Sequence, residues 1–157
     1  MPTANPTPEF RRLLLQRLLS MRRFDETVQD ILEAQGFSGR SLSSKGNEAP
    51  AAALSFIVNQ VDFVSSTHRN HGHMIAMGVD EMRAFAEVLG RKAGLNGGKG
   101  GRLHLCDRSK GFLSTSAMIG GCNAITTGAA YAQKIKRNSG IAVSLLGDGS
   151  LDEGITY

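Results

Sequence analysis

Between residues 9 and 35 the apolar positions Phe10, Leu14, Leu18, Met21, Phe24, Val28, Ile31 and Leu32 recur three or four apart. That spacing places side chains on one face of a helix, so one long amphipathic helix, or two nearly collinear ones, is predicted here. Gly36 is placed to stop it. Arg22, Arg23, Asp25 and Glu26 fall mostly outside the apolar stripe, as a solvated face or as contacts. The Pro-, Thr- and Asn-rich residues 1–8 read as a flexible arm. After a Gly/Ser loop over 37–46, a second helix is predicted from about 47 to 60. Asn47 can cap it, and Pro50 fits only in its first turn. Residues 61–67 form a strand candidate with a chain reversal at its end. A short helix over 80–89 is capped by Asp80 and closed by Gly90. Residues 112–119 are extended or irregular. The small-residue stretch 120–137, with Ala124, Ile125, Gly128, Ala129, Ala132 and Ile135, reads as a helix, either plain core or apposed to a second chain. The apolar run 141–146 is a buried strand. Ser150 and Glu153 then have capping-box spacing, so a further helix is expected to start there.

Strands alternating with helices predict an α/β class: a parallel sheet with covering helices and a site at the carboxyl ends of the strands. The 157 residues amount to about one domain. The net charge of +4 is scattered among acids, which fits an anionic cofactor better than a nucleic-acid stripe. Cys106 and Cys122 lack paired spacing and read as reduced thiols. No run approaches membrane-span length and no apolar signal core opens the chain. A soluble, cytoplasmic protein that engages neither nucleic acid nor membrane is the expectation.

Three stretches carry candidate chemistry. In Gly147-Asp148-Gly149 a carboxylate sits between two glycines at the exit of a strand. It is either an ordinary turn or a hard oxygen ligand beside free backbone N–H groups. The second arrangement suits a magnesium ion bridged to a diphosphate. His68-Arg69-Asn70-His71-Gly72-His73 holds three of the four histidines. Metal ligation there is opposed by the guanidinium of Arg69 and by the missing helical pairing of the imidazoles. An Arg just past a strand is suited to gripping a phosphate, and a plain surface turn is the other possibility. Residues 94–101 are dense in glycine but match neither a Walker loop nor a dinucleotide fingerprint. They form either a flexible linker or a backbone packed closely on something, ahead of an expected strand carrying His104.

The segments MRRFDETV, GNEA, SSTHRNHGH, GGKGGRLH, LSTSAMIGG and LLGDGSLDEG, in that order, resemble the alpha chain of the thiamine-diphosphate-dependent 2-oxo acid dehydrogenases, in particular the pyruvate and acetoin dehydrogenase alpha subunits. The resemblance runs from roughly Leu13 to the C-terminus. It implies a thiamine-diphosphate-binding fold, with residues 9–157 a partial, C-terminally incomplete domain.

The resemblance further implies that Asp148 is a Mg2+ ligand and that Gly149 and Ser150 give N–H groups to the diphosphate of the cofactor. It pairs Arg69 with the terminal phosphate and puts His68 where the family often has Tyr. Ala117 and Ile119 would meet the aminopyrimidine ring through their backbones. His104, with His71 or His73, would line the approach to the reactive thiazolium carbon. Two departures bear on pocket shape: Ala117 replaces a usual Gly, and Arg102-Leu103 replaces Ser-Met.

The activity implied is decarboxylation of pyruvate or a similar 2-oxo acid, or cleavage of acetoin. The acyl group would pass to the lipoyl group of an acyltransferase. A beta subunit, which carries the activating Glu in this family, is the implied partner in a hetero-oligomer. A second magnesium ligand, from an Asn-Asn pair, lies in the family beyond the position of Tyr157. A chain completing the domain is therefore also expected, and this polypeptide alone is expected to bind the cofactor weakly and to be inactive. The alternatives are a non-catalytic cofactor-binding remnant and a metal protein built on the His68-His71-His73 cluster.

Overall fold

The computed structural model of the protein describes residues 6–36 and 42–157. The first helix, α1, spans Pro8–Ala34. Thr7 caps it, its hydroxyl accepting from the Phe10 N–H at 3.2 Å, and Pro8 occupies the first turn, where its missing N–H costs nothing. Of the arm expected over 1–8, residues 1–5 lie outside the described residues, while Thr7 and Pro8 belong to the helix start. The inner stripe of α1 is Met21, Phe24, Val28 and Leu32, and one charged residue, Asp25, is buried with them. Of the two readings open for it, a solvated face or a contact, Asp25 takes the second.

The second helix, α2 (Glu48–Leu54), is shorter than the predicted span to 60. Asn47 precedes it without a side-chain cap bond; the Glu48 carboxylate instead accepts from the Gly46 N–H at 2.8 Å. Beyond Leu54 the chain tightens into turns, because Asp62 accepts from the Asn59 N–H at 2.7 Å and holds the backbone back from the helix. The same carboxylate accepts from the Ile141 N–H at 2.8 Å. Asp62 thereby pins the entry of the first strand to the entry of the third.

Three strands form one parallel sheet: β1 (Phe63–Thr67), β2 (Phe112–Ser116) and β3 (Ala142–Ser144), in the order β2-β1-β3. Thr67 lies opposite Ser116, and Phe63 opposite Ala142. The α/β class with a parallel sheet is what the alternation of elements predicts. Val64 of β1 packs into the core formed with α1, α2 and two further helices, α3 (His71–Ala76) and α4 (Glu81–Val88). Helix α4 is the expected one, with Asp80 accepting from the Arg83 N–H. Helix α3 was not expected. Its apolar residues Met74, Ile75 and Ala76 are contiguous rather than spaced, and its Gly72 lets α2 approach until an added Cβ would stand 3.1 Å from that of Ala51. Helix α5 (Gly121–Ile135) joins β2 to β3 and packs on the sheet. Its remaining faces stay open, with Tyr131 and Ile135 exposed.

The glycine-rich stretch is packed closely rather than free. The fully buried Glu87 carboxylate of α4 accepts from the N–H groups of Asn96, Gly98 and Gly100 at 2.7, 2.8 and 2.6 Å. The strand expected around His104 does not form. The capture of Gly100 keeps the chain turning, and 101–104 is a series of turns and bends. The helix expected after the Gly-Asp-Gly turn is also absent. Residues 148–152 and 154–156 form two short 3-10 turns, with Glu153 extended between them (φ −89°, ψ 128°). The Ser150 carbonyl is taken by the Thr156 hydroxyl at 2.5 Å, which draws the chain out of an α-helical path and leaves the capping box unmade.

Candidate functional site

Parallel strands place the residues that follow them at one end of the sheet, and here the three strand exits open into one cleft of about 660 Å³. From β1 come Thr67, His68 and Arg69; from β2, Ser116 and then Met118, Ile119 and Gly120; from β3, the stretch 145–150. Asn47 and Pro50 at the start of α2 close the far wall. Gly120, in the left-handed region at φ 76°, lets the backbone swing from β2 into α5 at the cleft floor.

Arg69 is exposed at the rim. Its backbone N–H is held by the Thr67 hydroxyl at 3.1 Å, and its guanidinium donates to the Ser43 carbonyl at 3.1 Å. After the neighbouring strand β3 come Asp148 and Gly149, both exposed, and the buried Ser150. Asp148 is the only carboxylate among the described residues lining the cleft. His68 is half-buried in the wall. His73 reaches the same wall from α3, with its Nδ1 2.8 Å from the Ser66 hydroxyl. Burial pushes the His73 imidazole down to about 4, so it is neutral at physiological pH.

Of the residues singled out in the sequence, His68, Arg69, His73, Ile119, Asp148, Gly149 and Ser150 line this cleft. Ala117 is exposed between two lining residues without lining it itself. His104 is exposed on the Gly-rich turns, outside the cleft. His71 is buried behind the cleft, where its Nδ1 lies 3.0 Å from Asp25 Oδ1. An ionised carboxylate only accepts, so Nδ1 carries the proton. The three clustered histidines therefore do not converge. Among the described residues no group of three or more His, Cys, Asp or Glu could hold a metal ion.

Asp25, open in the sequence between a solvated face and a contact, has a part beside the site that was not expected. Besides His71 it accepts from the Ser43 hydroxyl and from the Ser44 N–H and hydroxyl, both at 3.3 Å. Burial by itself raises its carboxyl; the bonds from His71 and Ser43, the neighbouring imidazole and the Ser44 amide outweigh that and bring it down to about 2. A signal existed: positions 21, 25, 28 and 32 have helical spacing, and Asp25 is the one charge among them.

A family model described as "Dehydrogenase E1 component" matches residues 16–157. The alpha subunit of an acetoin:2,6-dichlorophenolindophenol oxidoreductase from Bacillus subtilis is 33% identical over 141 residues, covering 90% of this chain and 42% of the relative. The corresponding subunit from Cupriavidus necator is 32% identical over 139 residues, covering 88% and 42%. A pyruvate dehydrogenase E1 component subunit alpha from Rhizobium meliloti is 30% identical over 142 residues, covering 90% and 41%. The chain thus spans about two fifths of the length of these relatives.

Proposed function

The chain belongs to the dehydrogenase E1 component family, and from that premise we propose that it is part of the alpha subunit of a thiamine-diphosphate-dependent dehydrogenase acting on pyruvate, a similar 2-oxo acid, or acetoin. The observation that carries the reading is the meeting of Arg69, Ile119 and 148–150 in one cleft at the carboxyl ends of all three strands. That is where open α/β sheets take their ligands. Its volume, about 660 Å³, lies within the range of about 300–1,000 Å³ typical of small-molecule sites.

The residues present fit a diphosphate bridged to a divalent cation. Arg69 offers a guanidinium fork to a terminal phosphate, and Asp148 offers a hard oxygen to Mg2+. Gly149 and Ser150 line the same space from a tight turn, in which the Ser150 N–H already donates to the Gly147 carbonyl at 3.0 Å and would have to leave it to meet a phosphate. Ala117 and Ile119 follow β2, where an aminopyrimidine ring would meet backbone rather than side chains. The chemistry that thiamine diphosphate supplies when bound is stabilisation of negative charge at a keto carbon as carbon dioxide leaves. This chain's residues bind and orient it: Arg69 and the 148–150 turn fix the phosphate end, while the neutral His73 and half-buried His68 shape the wall toward the open mouth. His71 is bonded to Asp25 behind the cleft and would not touch the ligand, and His104 would reach the site only from outside the cleft.

A beta subunit and a lipoyl acyltransferase are the partners this reading requires. The free thiols of Cys106 and Cys122 suit a reducing compartment, and we place the protein in the cytoplasm on that ground.

The test is calorimetric titration of thiamine diphosphate with and without Mg2+. Binding is expected to be weak, Mg2+-dependent, and strengthened by the beta subunit. Asp148→Asn should weaken it by about tenfold or more while shifting stability by no more than about 0.5 kcal/mol, because Asp148 is exposed. Binding indifferent to both Mg2+ and Asp148 refutes the proposal; binding without turnover in the assembled complex would favour the non-catalytic alternative.

A further inference from the structure

Arg69 is the cation of the cleft, yet a long flexible side chain at an exposed rim is a poor anion receptor unless something orders it. Its guanidinium has a definite partner, the Ser43 carbonyl at 3.1 Å. Ser43 in turn donates its hydroxyl to Asp25 Oδ2, and the same hydroxyl accepts from the Lys45 N–H at 3.1 Å. The next residue, Ser44, gives Asp25 Oδ1 both its N–H and its hydroxyl. That oxygen also receives the Nδ1–H of His71 at 3.0 Å. One carboxylate therefore holds the segment that carries Arg69's acceptor and, through His71, the segment that carries Arg69 itself. Asp25 sits in the core stripe of α1, with Met21, Phe24 and Val28 packed around it. Both segments are thus tied to the buried face of the longest helix.

We infer that Asp25 is a positioning residue which, through Ser43 and His71, pre-orders the Arg69 guanidinium for a phosphate-bearing ligand of the cleft. This rests on the reading of Arg69 as the anion's partner. A carboxylate can accept all four bonds at once, whereas an amide in its place offers one acceptor oxygen and turns an NH2 toward donors. Asp25→Asn therefore breaks the arrangement with little change in volume. The loss of one pre-ordered, rotamer-rich side chain amounts to about tenfold in anion affinity.

The test follows the Arg69 Nε–H signal by NMR in the full chain, first free and then titrated with inorganic pyrophosphate in the presence of Mg2+. In Asp25→Asn the Arg69 side chain should become more mobile, with pyrophosphate bound about tenfold more weakly. Combined with Arg69→Ala, the Asp25 substitution should cost no further affinity, since the two act as one unit. A merely structural Asp25 would lower stability but leave Arg69 order and the coupling unchanged, and that result overturns the inference. So does an equal loss of affinity in the presence and absence of Arg69, or no pyrophosphate binding by the unaltered chain. Where Asp25→Asn does not fold, Ser43→Ala cuts only the arm toward the loop; it should loosen Arg69 and weaken the anion by a smaller factor, and no change in either overturns the inference. If pyrophosphate binds with this dependence while thiamine diphosphate gains nothing from Mg2+, the Asp25 linkage stands and the thiamine reading fails.

Discussion

Glu87 offers the sharpest test of how the Gly-rich stretch is held. Its carboxylate is fully buried and takes three backbone amides, Asn96 and Gly98 on Oε2 and Gly100 on Oε1. In Glu87→Gln the side-chain oxygen fits best where it serves two of them, which leaves the third amide facing an NH2. One charge-assisted bond is lost and a donor is set against a donor, a cost of about 2–3 kcal/mol. In Glu87→Ala all three amides lose their acceptor, and about 4 kcal/mol is expected once some water has entered. Relief by a shift of the loop is restricted, because Gly98 already lies against the Gly90 carbonyl, 2.6 Å from where a Cβ would be. Urea unfolding should show a lowered midpoint with an unchanged slope, and hydrogen exchange at Asn96, Gly98 and Gly100 should accelerate first. A Glu87→Ala chain within about 0.5 kcal/mol of the original, with those amides still protected, would show that the carboxylate is not what orders the stretch.

Acid should act on two buried carboxylates in the same direction. Asp25 is lowered from 3.8 to about 2, so its stabilisation is complete above about pH 4 and disappears as the pH falls through about 2. Glu87 is also lowered, because amide bonds from Gly98, Asn96 and Gly100 outweigh the burial that would raise it, and it too loses its contribution on acidification. Unfolding midpoints measured between about pH 4 and about pH 2 should fall steeply, and less steeply in Asp25→Asn; equal slopes would contradict the assignment. Gly120→Ala should destabilise by about 1–2 kcal/mol from the left-handed backbone alone. It would further displace residues 154–156, since the new Cβ would stand 2.8 Å from Ile155 Cγ2; thermal unfolding with amide shifts at Ile155 and Thr156 measures both.

What could be read from the sequence was what local chemistry decides. Helices α1 and α4 carry their own period and caps, and both start and stop within a residue or two of where Asp80, Gly36 and Gly90 put them. Arg69 and Asp148 stood out by their chemistry and Ile119 only through the family resemblance; they meet, although 79 positions separate the first from the last, because in a parallel sheet whatever follows a strand lies at the same end. What could not be read depends on pairings far apart in the chain. Asp25 looks like surface until His71, 46 positions away, is brought against it. His104 looks like the middle of a strand until Gly100 is captured by a carboxylate on another helix. The capping box at Ser150 and Glu153 is sound as a local pattern, but Thr156 competes for the same turn and wins.

The absence of an α-helix after Asp148 changes how an anion can be held at that edge of the cleft. A helix N-terminus would have offered several aligned amides and a partial positive charge; two short 3-10 turns offer only the amides of the bend. Asp148 itself would repel a phosphate, by roughly 3 kcal/mol for unit charges about 6 Å apart at an effective dielectric near ~20. Arg69, in the same cleft, compensates one negative charge and not two. On the proposed reading a carboxylate and a diphosphate can share this cleft only with a divalent cation between them. On that reading a dependence on Mg2+ would follow from the site's own charges. Ordering of Arg69 would then matter, because with Asp148 holding a cation the guanidinium would be the group left to fix the other end of the ligand.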